Sequence, residues 1–312
     1  NGSTDNCVID KITLNKTDFD CSNVGANTVT LTVLDVNGNS DSKTAIVTVE
    51  DQLKPIVITQ NITIQLDALG KATITAAEID NGSTDNCVID KITLDKTDFD
   101  CSNVGANTVT LTVLDVNGNS DSKTATVTIE DQLKPIAVTQ NITVQLDALG
   151  KAIITESQID NGSTDNCAID KITLDKTNFD CSNAGVNIVT LTVFDVNGNS
   201  DSKTAIVTIE DKVKPTVETQ NIIVQLDAFG KATITESQID NGSTDNCAID
   251  KLTLDKTDFD CSNVGANTVT LTVLDVNGNS DSKTAIVTIE DKVKPIVNTQ
   301  NITVQLDALG KA

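Results

Sequence analysis

Apolar and polar residues alternate along much of the chain. Val109, Leu111 and Val113 interleave with Thr108, Thr110 and Thr112, and Ala125, Val127 and Ile129 interleave with Thr124, Thr126 and Thr128. A period of two predicts strands with one face buried. Between the two runs lies Asp115-Val-Asn-Gly-Asn, a hairpin turn signal. Ile62, Ile64 and Leu66 lead through Asp67-Ala-Leu-Gly70 to Ala72 and Ile74, which predicts a second hairpin. Ile92 and Leu94 mark a further short strand, and Thr75 to Asp80 has room for one helical turn.

This pattern recurs at a constant interval. NGSTDNC begins at Asn1, Asn81, Asn161 and Asn241, FDCSN at Phe19, Phe99, Phe179 and Phe259, and DVNGNSDSKTA at Asp35, Asp115, Asp195 and Asp275. A fixed period of supersecondary size is the mark of a tandem array. Proline occurs only at Pro55, Pro135, Pro215 and Pro295, each after Glu-Asp-x-x-Lys. Proline cannot donate to a central ladder, so these positions mark the start of a unit. The reading is a rear part-unit over residues 1–50, whole units over 51–130, 131–210 and 211–290, and a front part-unit over 291–312.

Six or seven short strands in each unit predict an all-β fold of tandem immunoglobulin-like antiparallel sandwiches. No segment offers the long crossover that parallel strands need. The connector EDQLKP has neither Gly nor Ser, so it has little slack. Strands of about ten residues span roughly 33 Å, and the units are expected to stack lengthwise as an elongated rod. The incomplete ends are expected to reflect a window in a longer repetitive chain. Strand addition between copies is the alternative.

Composition then removes whole classes of function. The chain of 312 residues has 45 acidic and 22 basic side chains, a net charge of −23, and no histidine. All the basic residues are lysine, and Met, Trp and Tyr are also absent. Imidazole catalysis and histidine ligation are excluded, as is bidentate arginine recognition. The negative charge opposes nucleic acid, and no apolar run approaches the ~20 residues of a membrane-spanning helix. The expected partners are neighbouring repeats of the same chain and other copies in a filament, with no nucleic acid and no membrane insertion. No enzyme activity is expected.

Two cysteines occur in each unit, always 14 apart: Cys7 and Cys21, Cys87 and Cys101, Cys167 and Cys181, Cys247 and Cys261. An even count in small β units reads as disulfides in an oxidising compartment. The constant spacing predicts a bond within each unit, with all eight cysteines paired. Closing a loop of about 15 residues contributes roughly 3 kcal/mol. Phe99 is expected to pack on the bridge.

The run TVTLTVLDVNGNSDSKTATVTIEDQLKP resembles the end of hyalin-type (HYR) immunoglobulin-like repeats. DNGSTDNC…FDCSNVGANTVTLTV is similar to the repeats of giant bacterial cell-surface adhesins of the gliding, SprB type. The resemblance covers all 312 residues. It implies an extracellular tandem-domain protein displayed on a bacterial cell surface, with adhesion or gliding motility as the role of the whole. The expected function is a structural stalk that holds a distal tip away from the cell. A multivalent glycan- or surface-binding module is the alternative, which aromatic or arginine hot spots would favour.

No cofactor is required, and calcium is the one ion the side chains suggest. Asp115, Asn117, Asn119 and Asp121, with their repeat equivalents from Asp35, Asp195 and Asp275, place oxygens at every second position, as hard cations demand. The competing reading is a plain turn, with Gly118 taking positive φ, under which a chelator leaves the melting temperature unchanged. A second calcium candidate is the unit boundary. There Glu130 and Asp131 end one unit, and the NGSTDN loop of a neighbour brings Asp80 and Asp85.

Overall fold

The computed structural model describes residues 2–312. Two compact units partition the chain. One comprises Asn1–Ile136, Thr164–Lys171 and Val193–Asp201, and the other Ala137–Ser163, Ile172–Thr192 and Ser202–Ala312. The repeat 51–130 lies wholly in the first, and 211–290 in the second.

Within 51–130 the elements are β1 (Ile62–Gln65), β2 (Lys71–Thr73), α1 (Ala76–Ile79), β3 (Ile89–Leu94), β4 (Asp98–Asp100), β5 (Gly105–Asp115) and β6 (Ser120–Glu130). A four-stranded sheet has the order β1-β6-β5-β3, and β2 pairs with β4 in a second sheet. The β5–β6 hairpin is antiparallel, from Gly105 opposite Ile129 to Leu114 opposite Ser120. Its period of two appears as burial: Val109, Leu111, Val113, Val127 and Ile129 are fully buried, and the threonines between them are not. Ile74, Ile79 and Phe99 close the core from the other side. The repeat 211–290 repeats this arrangement strand for strand, with Ile234, Ile239 and Phe259 in the same roles.

Two sequence expectations are corrected. β1 pairs parallel to β6, with Ile62 opposite Val127 and Gln65 opposite Glu130, so the sheet is mixed rather than wholly antiparallel. The long crossover that a parallel pair needs is the body of the sandwich itself, from β2 to β5. The second hairpin is also absent. Asp67 and Gly70 make the turn, with Gly70 N–H donating to Asp67 O at 2.9 Å. The strands on either side then diverge, β1 into the larger sheet and β2 into the smaller. Isolated apolar runs do not distinguish partners in one sheet from neighbours across a core.

Residues 2–50 and 291–312 differ from each other. Ile9–Leu14, Gly25–Asp35 and Ser40–Val49 form a three-stranded sheet. It has no equivalent of β1, and Ile46 is 71% exposed. Residues 291–312 form no strand, and Ile302, Val304 and Leu306 are exposed.

A short 3-10 turn, Cys101–Asn103, follows β4. The Asp100 carboxylate accepts from the Ser102 amide at 3.0 Å and its hydroxyl at 2.6 Å. The Ser102 hydroxyl, then its amide, hold the Asp100 carboxyl below its ordinary 3.8, with Lys71 adding to the effect. Asp20, Asp180 and Asp260 are lowered in the same way. The folded chain therefore binds fewer protons than the unfolded chain. This contribution to stability is complete above the unfolded value of 3.8 and is lost as pH falls through the depressed folded values. Melting temperature followed from pH 6 to pH 2 is expected to fall most steeply below pH 4, and Asp100→Asn with Asp260→Asn should flatten that limb.

Candidate functional site

The chain direction of each strand decides what lies at each end of a sandwich. β3 runs antiparallel to β5, and β4 antiparallel to β2. Both therefore carry the chain from the end that receives the linker from the preceding repeat toward the end that issues the next linker. Cys87 precedes β3 and Cys101 follows β4, so the two sit at opposite ends. The residues of β3 alone run about 20 Å, whereas a disulfide needs Cα atoms within roughly 7 Å.

The expected bond within each unit is therefore not made. Cys21 bonds Cys87, Cys101 bonds Cys167, and Cys181 bonds Cys247, each at a sequence separation of 66 and each across a repeat boundary. Cα–Cα distances are 5.4–5.5 Å. Cys7 and Cys261 are unbonded and exposed. On the chain-entropy account a loop of this length contributes about 4 kcal/mol, more than the shorter loop would. Cys101 and Cys167 pack against the core that contains Phe99.

Gly70 lies against the bond at φ +68°. A Cβ there would stand 2.6 Å from Cys101 Sγ and 2.8 Å from the Asn166 carbonyl oxygen. The Asn166 side chain spans the same boundary, donating from Nδ2 to Asp67 O and to Asp131 Oδ1, each at 3.3 Å.

The boundary also collects acid. Asp115 continues the inward row Val109-Leu111-Val113 and is 1% exposed. Asp131 continues the inward row Ala125-Val127-Ile129 and is 7% exposed. These rows run in opposite directions and end at opposite ends of the sandwich. At a boundary, Asp131, the first residue past the sandwich 51–130, therefore meets Asp195, the Asp115 equivalent of the sandwich that follows. Asp165, in the following NGSTDN loop, completes the group, with carboxylate oxygens within 4.8 Å of one another. Asp211, Asp245 and Asp275 form the same cluster. At the first boundary Asp51 and Asp85 approach each other beside Cys87, and Asn119 Nδ2 donates to Asp51 O and Asp115 Oδ2.

The remaining candidates have other roles. Asp115 Oδ1 accepts from the amides of Asn117 and Asn119, each at 2.8 Å, which makes the DVNGN segment a capped turn. Burial pushes the Asp115 carboxyl up, but donors from Asn119, Asn117 and Gly118 outweigh it and hold it below its ordinary value. Asp121 is exposed on β6 opposite Val113. The Glu130 carboxylate accepts from Gln65 Nε2 at 2.7 Å. Asp80 accepts from the Ser83 amide and hydroxyl. None of these three joins the clusters. Sequence reasoning missed Asp195 as a partner of Asp131, although both end inward rows.

No protein-family model matches the chain, and no curated protein sequence is similar to it. Among solved structures, the first four extracellular domains of Drosophila N-cadherin share 12% identity over 88% of this chain and 87% of that one, with a TM-score of 0.31. Domains 22–24 of mouse cadherin-23 share 15% identity over 76% of this chain and 99% of that one, also at 0.31. Similarity of this order assigns the chain no family.

The glycine beside each bond gives a test. At Gly150 (φ +68°) a Cβ would stand 2.6 Å from Cys181 Sγ and 2.7 Å from the Asn246 carbonyl, whereas at Gly230 it would meet only the unbonded Cys261 Sγ. Gly230→Ala is expected to cost the backbone strain alone, about 1–2 kcal/mol. Gly150→Ala should cost more and expose its disulfide, so Cys181–Cys247 should be reduced faster by dithiothreitol than in the parent chain, with Gly230→Ala leaving that rate unchanged.

Proposed function

We propose that the chain is a load-bearing spacer in an extracellular adhesin, the stalk of a bacterial cell-surface protein, with its repeats held end to end against tension. One observation carries this reading: each disulfide crosses a repeat boundary at a sequence separation of 66. In the repeats 51–130 and 131–210, where both cysteines are bonded, what remains in the covalent path is the short segment between those two cysteines, as from Cys87 to Cys101. Tension entering at Cys87 passes along β3 and β4 to Cys101 and leaves through Cys167. The linkers, the hairpins and α1 lie outside this path.

The consequence is one of length. At about 3.4 Å per residue, an unfolded repeat of about 80 residues extends to roughly 270 Å, whereas a segment of about 14 residues reaches at most about 50 Å. Most of that segment is already in extended strands. An oxidised array therefore cannot lengthen much even where a core gives way. Disulfides persist in oxidising surroundings, in keeping with an extracellular site. Among the described residues no helix is long and apolar enough to cross a membrane. Lysine as the sole basic residue and six Phe as the sole aromatics offer little to a sugar or protein ligand, which supports a spacer over a binding module.

Single-molecule stretching of the 312-residue chain provides the test. Under oxidising conditions the bridged repeats should release increments no longer than about 50 Å each. With dithiothreitol, increments of about 240 Å should appear, the roughly 270 Å of extended chain less the roughly 33 Å that a folded strand already spans. Full-length increments in the oxidised chain would contradict the proposal.

A further inference from the structure

We propose that each repeat boundary is a binding site for a divalent cation of the calcium class. At the second boundary the site is built from Asp131, Asp165 and Asp195 with the side-chain carbonyls of Asn166 and Asn197. This inference is independent of the load-bearing reading.

An acidic cluster alone has no such meaning on a chain of net charge −23. The decisive observation is what these oxygens lack. Asp131 is more than nine-tenths buried, and its Oδ1 accepts from the Leu133 amide and from Asn166 Nδ2, while its Oδ2 has no donor. Asp165 spends Oδ2 on the Cys167 amide, and its buried Oδ1 has no donor. Asn166 and Asn197 each keep a buried, unpartnered Oδ1. The third boundary repeats the pattern, with Asp211 Oδ2, Asp245 Oδ1 and Asn246 Oδ1, and the first repeats it with Asp51 Oδ2, Asp85 Oδ1 and Asn117 Oδ1. Among the described residues, every buried side-chain oxygen or nitrogen without a partner belongs to one of these three boundaries.

A buried acceptor without a donor is costly, and a buried carboxylate more so. Neighbouring negative charges raise that cost further. Lysine does not relieve it: the ion pairs at Lys71, Lys151, Lys212, Lys231, Lys283 and Lys292 all go to other carboxylates. A cation does. Calcium takes six to eight oxygens at about 2.4 Å, so ligand oxygens on opposite sides of the ion stand about 4.8 Å apart. The carboxylate oxygens of Asp131, Asp165 and Asp195 lie within that distance of one another. The donor set is all oxygen, as a hard cation requires, and Cys87 at the first boundary is engaged in its disulfide.

Isothermal titration of the oxidised 312-residue chain with calcium chloride, against a background of physiological potassium chloride, tests the site. We expect saturable binding of three ions per chain and a melting temperature that rises with calcium and falls with chelator. Asp165→Asn with Asp245→Asn should reduce the count from three to one. Asp121→Asn, an exposed carboxylate outside the clusters, should leave it at three. Absence of saturable binding, or an unchanged count in the double variant, would overturn the proposal. Should the double variant fail to form its disulfides, the count of three in the parent chain and in Asp121→Asn decides, and any other count overturns it.

Discussion

The joining of one repeat to the next depends on the direction in which β3 and β4 run. Because both carry the chain from the incoming to the outgoing end of the sandwich, the cysteines that flank them face different neighbours. A thiol at one end cannot reach a thiol at the other, so each must bond outward. Tandem connection thus becomes covalent at two places, through the linker and through sulfur. The linker end is fixed as well: Pro55, Pro135 and Pro215 are buried. Gly70 and Gly150 make room for the sulfur by presenting no Cβ toward it.

The same directional rule collects the carboxylates. Two inward rows end in aspartate, Asp115 at one end of the sandwich and Asp131 at the other. Burial of an acid at the end of an apolar row is costly unless something compensates it. Asp115 is compensated locally by the amides of its own turn. Asp131 is only half compensated, through Oδ1. Repeating an identical unit therefore repeats both a covalent link and a local electrostatic deficit at each boundary, and the two lie side by side where Cys167 follows Asp165 and Asn166.

Much of the fold was legible in the chain. The period of two in β5 and β6 marked both inward rows, the recurrence of whole phrases marked the array, and Thr75 to Asp80 did hold its single helical turn. What failed was pairing. The parallel β1–β6 ladder and the divergence of β1 from β2 depend on which sheet a short apolar run joins, and alternation is silent on that. Cysteine spacing misled for a related reason: a short separation along the chain suggests proximity only if the chain turns back, and here it runs straight through the sandwich. The cluster at Asp131 was partly legible in the linker and the NGSTDN loop. Asp195 was legible only as the equivalent of Asp115, a calcium candidate within its own DVNGN turn, so its meeting with Asp131 went unseen.

The account rests on the connectivity of the cysteines. Proteolysis of the non-reduced chain followed by mass spectrometry reads that directly. Linked peptides that join Cys21 to Cys87, Cys101 to Cys167 and Cys181 to Cys247, with Cys7 and Cys261 alkylated as free thiols, are the result this account predicts. Peptides that join Cys87 to Cys101 or Cys167 to Cys181 would contradict it.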